Sequence, residues 1–346
     1  MTSSGCAAEA GPNRPDGTPG LRSRSGADGS FSLWSEHFGE GFHGPIGALS
    51  EARAKFVQPA ELERFSPGQR LVVVDVCFGL GTNSAALLEA ASGRGLTLQI
   101  WGLELDPQPL RQALASEPFR RQWQPGTVAL FRSLLEHGGW SQGDIRSSNQ
   151  DSTARLLWGD ARSRLGDLLE RQQLAGRCDL VLLDAFSPRR CPELWSLEFL
   201  SALARLLRPD GRLLTYCCAA AVRRSLQLAG LQLASIPPPP QQGAADPSPR
   251  IAPWSYGTAA SPSLLPIGTE PDSPLRPLTA MEIEHLGTRA AEPYRDPGGQ
   301  AVAAAILAAR RRAQAASGAG PTSAWRRRWG LEGHTRASAK PPRQPT

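Results

Sequence analysis

The chain has 346 residues, 40% of them hydrophobic and 20% charged, which provides for one sizeable core and excludes both a wholly disordered chain and more than two ordinary domains. Glycine and proline, at 35 and 31 residues, exceed ordinary usage and point to unstructured segments on a globular part, with no collagen or coiled-coil patterning. The net charge of +6 is unevenly spread: residues 301–346 hold nine Arg or Lys against one acid, Glu332, leaving 29 bases and 31 acids in residues 1–300. A basic arm of this kind favours a polyanion such as RNA, the alternative being a solvated tail without a partner. No apolar run of about 18 residues occurs, and the N-terminus lacks a basic-then-apolar leader, so no membrane contact and a cytoplasmic location are expected.

In chain order, residues 1–27 are rich in Gly, Pro and Ser and are expected to be unstructured, having too little apolar surface to offset the entropy of ordering. Aromatic residues then thicken (Phe31, Trp34, Phe38, Phe42), and Leu49–Val57 reads as a short helix capped by Ser50. After Pro67–Gly68 strand and helix alternate. Leu71–Val76 is a β-branched run suited to a strand buried on both faces; a Gly-rich turn and the helical stretch Ser84–Ala91 follow. Leu98–Leu103 is a second strand, and residues 117–152 read as irregular loops and short helices. Arg155–Trp158, Cys178–Leu183, Arg212–Cys217 and Leu231–Ile236 are further strands, with helices near Arg162–Gln172, Pro192–Leu207 and Ala220–Leu228 between them. A Pro-rich loop from Pro237 to Pro253 precedes a weak last strand near Tyr256–Ala260. This alternation predicts an α/β fold, a mostly parallel sheet with helices on both faces.

The six cysteines, Cys6, Cys77, Cys178, Cys191, Cys217 and Cys218, include no C-x-x-C pair and read as buried thiols, with no metal site expected. His37 and His43 have no metal-like spacing with other ligands and read as structural or substrate-lining residues.

In such a sheet ligands bind beyond the carboxyl ends of the strands, so the residues just after each strand carry the chemistry. The first strand is followed by Cys77-Phe78-Gly79-Leu80-Gly81, glycines that let a ligand approach the backbone. The third glycine of a dinucleotide fingerprint is missing, since Ser84 stands there, and Asp75 opens the loop with a charge that repels a pyrophosphate. That combination points to S-adenosylmethionine, whose amino-acid moiety is cationic. Glu104 after the second strand suits the ribose hydroxyls, or is a surface carboxylate. Asp160 after the third suits an adenine amine, or caps the next helix. Asp184 ends the apolar fourth strand at the centre of the site, where a carboxylate needs a partner.

The blocks Asp75–Asn83, Trp158–Asp160, Asp179–Pro188, Pro192–Trp195 and Val222–Gly230, with Ser35–Phe38, Phe42–His43, Gly47–Ala52 upstream and His285–Pro297 downstream, resemble the methyltransferase domain of the MnmC family. The family loop usually reads Gly-Phe-Gly-Thr-Gly; here Cys77 stands for the first glycine and Leu80 for the threonine, while Gly79 and Gly81 remain. The resemblance implies a class I S-adenosylmethionine-dependent methyltransferase fold (Rossmann-like) over residues 28–300, a stand-alone chain without the family's flavin oxidase domain, and an unstructured basic tail over 301–346. It implies N-methylation of the aminomethyl group of 5-aminomethyl-(2-thio)uridine at the tRNA wobble position, with the tRNA anticodon loop as partner. On that reading Asp75, Phe78, Gly79, Gly81, Asn83, Glu104, Asp160 and Ala161 bind the cofactor, and Asp184 is catalytic. Phe186 or Trp195 stacks on the base, the alternative being that both are packing residues, and Arg223 and Arg224, with Arg189 and Arg190, meet phosphates or are isolated surface arginines. A polyamine-type aminopropyltransferase shares the fold and an acid after the fourth strand; comparing binding of S-adenosylmethionine and its decarboxylated form separates the two. A non-catalytic RNA-binding relative, with Cys77 and Leu80 as signs of decay, would bind tRNA and not the cofactor.

Overall fold

The computed structural model describes residues 20–141, 152–239, 254–270 and 272–331. Three antiparallel strands come first, β1 (Leu21–Ser25), β2 (Phe31–Ser35) and β3 (Glu40–Gly41). β1 lies within the stretch expected to be unstructured. Its sequence LRSRS is polar and largely exposed, so it carries no strand signal of its own; pairing with the buried β2 orders it, Leu21 opposite Ser35. Residues 1–19 lie outside the described residues.

Helix α1 (Ala48–Ala52) runs into a π-helical turn, Arg53–Val57, and then α2 (Gln58–Ala60). The helix starts after Gly47 instead of at Ser50 because its orphan N–H groups are satisfied from the hairpin. Ala48 N donates to Ser30 Oγ at 2.7 Å and Ser50 N to Asp28 Oδ2 at 2.9 Å.

The main body follows the predicted alternation. In order come β4 (Arg70–Val76), α3 (Thr82–Ser92), β5 (Thr97–Glu104), α4 (Gln108–Ala115), α5 (Glu117–Arg120), α6 (Pro125–His137), β6 (Gly139–Ser141), β7 (Thr153–Trp158), α7 (Ala161–Glu170) and β8 (Cys178–Leu183). Then come α8 (Leu197–Ala204), β9 (Leu207–Thr215), α9 (Ala220–Leu228), β10 (Gln232–Ile236), β11 (Gly257–Ser261), α10 (Ala280–His285), α11 (Ala303–Ala316) and α12 (Thr322–Arg328). The sheet order is β10-β11-β9-β8-β4-β5-β7-β6; β9, β8, β4, β5 and β7 are parallel, and β6, β10 and β11 pair antiparallel. Period-2 alternation sends Leu71, Val73, Leu180 and Leu182 into one core layer and Val74, Val76, Val181 and Leu183 into the other, which is why these strands read as unbroken apolar runs. The chain leaves β4 toward β5 and β7, then returns to β8 on its other side, and a crevice opens at the carboxyl ends of β4, β5 and β8.

Three expectations change in the structure. Residues 117–141 are regular, not irregular: α6 has Pro125 in its first turn, Gly138 in the left-handed C-cap and Val128, Phe131 and Leu134 buried at three-residue spacing. The predicted single helix Pro192–Leu207 is a 3-10 turn, Pro192–Trp195, and then α8, because Ser196 is extended, accepts from Phe199 N as the cap of α8 and bridges to Tyr294. The C-terminal segment is helical across α11 and α12, where Ile306 and Trp325 are buried and Arg310 lies 4.4 Å from the Tyr294 ring centre while donating to the carbonyls of Ala290 and Glu292. Residues 332–346, with the rest of the basic arm, lie outside the described residues, as does most of the Pro-rich loop, 240–253.

Arg223, expected to meet RNA phosphate, is instead a core residue. Successive residues on a helix point about 100° apart, so α9 turns Arg224 to solvent and Arg223 inward. Its guanidinium donates to Thr258 Oγ1 (2.9 Å), Glu282 Oε1 (2.8 Å) and Gly257 O (3.3 Å). Burial pushes the Glu282 carboxyl up, but Arg223 and the hydrogen bonds from Ser255 and Thr279 outweigh it and hold it below its ordinary value. Arg223→Met is therefore expected to cost about 3–5 kcal/mol of stability near neutral pH in denaturant titrations, by stranding a buried carboxylate. The double variant with Glu282→Leu should regain part of that loss; equal stability of Arg223→Met and wild type would contradict the assignment.

Candidate active site

Three acids end three neighbouring strands, and each is held differently. Asp75, in β4, is fully buried and faces α3, where Ser84 Oγ donates to it at 2.6 Å. Its second oxygen has no partner, and burial pushes its carboxyl up to about 7, against the pull of Ser84 and with Asp184 and Glu104 adding to the rise. Glu104, at the end of β5, accepts from the backbone N–H of Gly79 (2.7 Å), Leu105 (2.7 Å) and Asp106 (3.0 Å). It thereby clamps the glycine loop to the neighbouring strand; burial raises its pKa and those N–H groups pull it back. Asp184 follows β8, its backbone N–H reaching Val76 O at 3.2 Å and its Oδ2 accepting from Asn83 Nδ2 at 2.8 Å. Burial pushes it up to about 6, with Asn83 and Lys55 pulling down and Glu51 pushing up.

A cavity of about 710 Å³ opens above these ends, in the range of small-molecule and cofactor sites. Of the residues expected to bind cofactor or substrate or to act in catalysis, Gly79, Glu104, Asp160, Ala161, Asp184 and Phe186 line it. Gly79 has φ of 56°, and a Cβ there would meet the Phe42 ring at 3.3 Å, so the backbone itself forms the surface. Asp160 caps α7 by accepting from Arg162 N (2.9 Å) and pairs with the Arg162 guanidinium (2.7 Å), so the capping role is real although the carboxylate still borders the cavity.

Four residues expected on the cofactor lie behind the cavity wall instead. Asp75 is turned toward Ser84. Phe78 packs edge-on to Phe131 at 5.6 Å between ring centres. Gly81, at φ of 80°, exists for packing, since a Cβ there would fall 2.6 Å from Phe131 and 2.7 Å from Phe78. Asn83 spends its amide on Asp184. Trp195 is also withdrawn: it is fully buried, and its Nε1 donates to Phe186 O at 2.8 Å, which fixes that backbone and leaves no face for a base.

The facing wall comes from the N-terminal strands and α1, and of its residues only His37 and His43 were read from the sequence as structural or substrate-lining. Phe38 stacks on Phe186 with centroids 4.3 Å apart, and Phe42 meets Phe186 edge-on at 5.1 Å. Glu40 ties this wall to the loop after β8 by accepting from Ser187 N (2.9 Å) and Ser187 Oγ (2.5 Å). His43, joined to Ser32 Oγ at 2.9 Å, is pushed down to about 4 by burial and by Lys55, and is neutral near pH 7. Glu51, Lys55 and Tyr216 complete the wall. Phe38, Phe42, His43 and Glu51 stood inside matched blocks, so the signal was present; Lys55 and Tyr216 had none.

The donor set suits a sulfonium cofactor: an open glycine backbone, a carboxylate clamped at its edge, and apolar rings with acids around them. Among the described residues no group of three or more His, Cys, Asp or Glu comes together to hold a metal, and no helix is long and apolar enough to cross a membrane.

Fold and site together define a class I S-adenosyl-L-methionine-dependent methyltransferase. A family model described by that cofactor dependence matches residues 131–243. The bifunctional protein MnmC of tRNA 5-methylaminomethyl-2-thiouridine biosynthesis from Aeromonas hydrophila is 34% identical over 222 residues, 58% of this chain and 31% of the relative. The corresponding protein of Pseudomonas fluorescens is 33% identical over 199 residues, 55% of this chain and 29% of the relative. The chain thus spans about a third of the length of these curated relatives. The crystal structure of MNMC2 from Aquifex aeolicus superimposes with a TM-score of 0.63 at 26% identity, covering 86% of each chain. The chain is an MnmC-like methyltransferase domain.

The buried Asp75 has a measurable signature. Its folded pKa, about 7, lies above the ordinary 3.8, so its contribution to stability is full at acid pH, declines as pH rises past 3.8 and is gone above about 7. Asp75→Asn should remove that decline and gain on the order of 3 kcal/mol over wild type at pH 8 while gaining nothing at pH 4, read from denaturant midpoints. A variant that follows the wild-type pH curve would show Asp75 to be hydrated.

Proposed function

We propose that this domain N-methylates the aminomethyl group of 5-aminomethyl-(2-thio)uridine at the tRNA wobble position. The observation that carries the reading is Asp184: a carboxylate held by Asn83 through one oxygen, bordering the cavity beside both the clamped glycine loop and the Phe38–Phe186 wall. The relatives named for biosynthesis of this nucleoside supply the substrate class.

When bound, S-adenosylmethionine supplies an activated methyl group, which passes to the amine lone pair while the carbon–sulfur electrons stay on sulfur. The chain does the rest. Gly79 offers its open backbone and Glu104 its remaining lone pairs to the adenosyl ribose, with Asp160 and Ala161 at the adenine edge. An alkyl ammonium cannot attack, so the amine must first be neutral; the carboxylate of Asp184 accepts its proton or holds the N–H of the free base in line. Phe186, braced by Phe38 and Phe42, offers an apolar surface to a pyrimidine drawn out of a single-stranded loop. The exposed Arg189, Arg190 and Arg224 are left to meet phosphates, Arg190 while 3.9 Å from Glu40. Arg223 and Trp195 take no part. The hairpin wall covers one side of the cavity, and orientation of the amine within it contributes much of the rate.

Asp184→Asn preserves shape and removes the proton acceptor. Methylation of undermodified tRNA by this variant, followed by nucleoside mass analysis, should fall by about 10²–10⁴-fold with cofactor affinity within a fewfold of wild type. In the wild type kcat/KM should rise with pH through about 6 as Asp184 ionises, and the variant should lack that limb. Full activity in Asp184→Asn, or methyl transfer to a site other than the wobble nucleoside, would overturn the proposal.

A further inference from the structure

Resting on the amine-methylation reading, we propose that Lys55 is a positioning residue whose fixed positive charge, acting through Asp184, keeps the reacting end of the cavity ready to receive a proton from the substrate amine. The chain has 38 cationic side chains, and only Lys55 and Lys340 among them are lysines. Arginine serves at the other cationic positions of the described chain, including its buried ion pairs at Arg212 and Arg223. The one lysine in the described residues is buried at 8% exposure and borders the cavity.

Its surroundings fix it there. Lys55 sits on the π-helical turn after α1, and its Nζ lies 3.2 Å from Glu51 Oε1, 4.3 Å from the Tyr256 ring centre and 5.7 Å from that of Tyr216. A bare ammonium with aromatic faces around it and one carboxylate partner is a point charge in a weakly hydrated place, where Coulomb effects carry further than at the surface. Glu51 is held in turn by Gly44 N at 3.2 Å, so the pair also anchors the Phe42–Pro45 wall. Arg24, the other full cation among the described residues lining the cavity, is drawn over Trp34 at 5.2 Å and is spent on that wall.

Of the titratable groups that line the cavity with Asp184, Glu104 on β5 is spent on three backbone N–H groups, Glu40 in β3 on Ser187, and His43 is neutral near pH 7. Asn83 on α3 is neutral. Asp75 in β4 is protonated below about 7, and the Cys77 thiol and Tyr216 phenol are pushed well up by burial, so both stay neutral. Lys55 and Glu51 remain, with opposite effects on the Asp184 carboxyl. Lys55 favours the carboxylate that accepts the proton. Its charge also disfavours an ammonium on the substrate nearby, as one cation lowers the pKa of another. The first effect keeps Asp184 in its ionised, accepting form while making it a weaker base; the second drives the proton off the ammonium, and atoms and charge balance when that proton passes from nitrogen to carboxylate.

The test compares Lys55→Met, Lys55→Arg and Glu51→Gln by carbon NMR of protein carrying carboxyl-labelled aspartate, with Asp184→Asn to assign the resonance. Neither RNA nor cofactor is needed. Lys55→Met should raise the Asp184 midpoint by about one pH unit or more, Lys55→Arg should leave it near wild type, and Glu51→Gln should lower it. The acid limb of kcat/KM should shift the same way in each variant. Loss of a merely structural pair would impair Lys55→Met and Glu51→Gln alike; midpoints that stay put or move together in those two variants overturn the role of Lys55. Failure of the wild-type chain to methylate the amine instead overturns the reaction assigned above.

Discussion

The site depends on one constraint: parallel strands buried on both faces end side by side, and in this chain three of them carry a carboxylate at the same edge of the sheet, two of which, Glu104 and Asp184, border the crevice. Bringing Asp75, Glu104 and Asp184 together out of water is unfavourable unless each charge is neutralised, hydrogen-bonded or paired. The structure uses all three remedies. Asp75 is pushed toward its neutral form and shares one oxygen with Ser84. Glu104 is surrounded by three backbone N–H groups. Asp184 has a single amide donor, a lysine charge acting on it and a place in the cavity lining.

This division gives each acid a different job. Asp75 is structural, joining β4 to the start of α3. Glu104 shapes the loop: by pulling Gly79 N toward β5 it sets the curvature that presents the glycine backbone to a ligand. Cys77 follows the same curvature at φ of 63°, a left-handed conformation uncommon for a residue with a side chain. Its amide and that of Phe78 both donate to Leu103 O, at 3.0 and 3.1 Å, so the turn is imposed by hydrogen bonds and not by glycine alone. The departure from the usual glycine loop is thus absorbed locally and leaves Gly79 and Gly81 free to do what only glycine can.

Much of the fold was legible because its information is local. β4, β5, β7, β8 and α3, α7, α9 fall within a few residues of the predicted ranges, since continuous apolar runs and capped amphipathic stretches specify themselves, whereas β9 begins at Leu207, ahead of its predicted start at Arg212. What depended on tertiary partners was not legible. β1 is polar and ordered by β2; α1 starts where Ser30 and Asp28 supply acceptors; α11 and α12 look like a basic tail until Ile306 and Trp325 are seen buried. The site divides the same way. That an acid stands after each strand is readable, but which way its side chain turns is not. Asp75 and Asp184 both follow aliphatic runs, yet one faces Ser84 and the other borders the cavity. Arg223 and Arg224 are chemically identical neighbours, separated only by the angular step of a helix.

The reacting end of the cavity is built from two distant parts of the chain. A parallel sheet supplies acids and backbone at its carboxyl edge but no lid, and an amine shared with bulk water would remain protonated. The hairpin and α1 close that side with Phe38 and Phe42, and the closure is tied to the chemistry through Glu40–Ser187 and Glu51–Lys55. Removing water strengthens every charge effect inside, so the lysine and the carboxylate influence one another more as the wall fits more closely. Packing of the aromatic wall and the protonation state of Asp184 are for that reason a single property of the site, and a change in either is felt in the other.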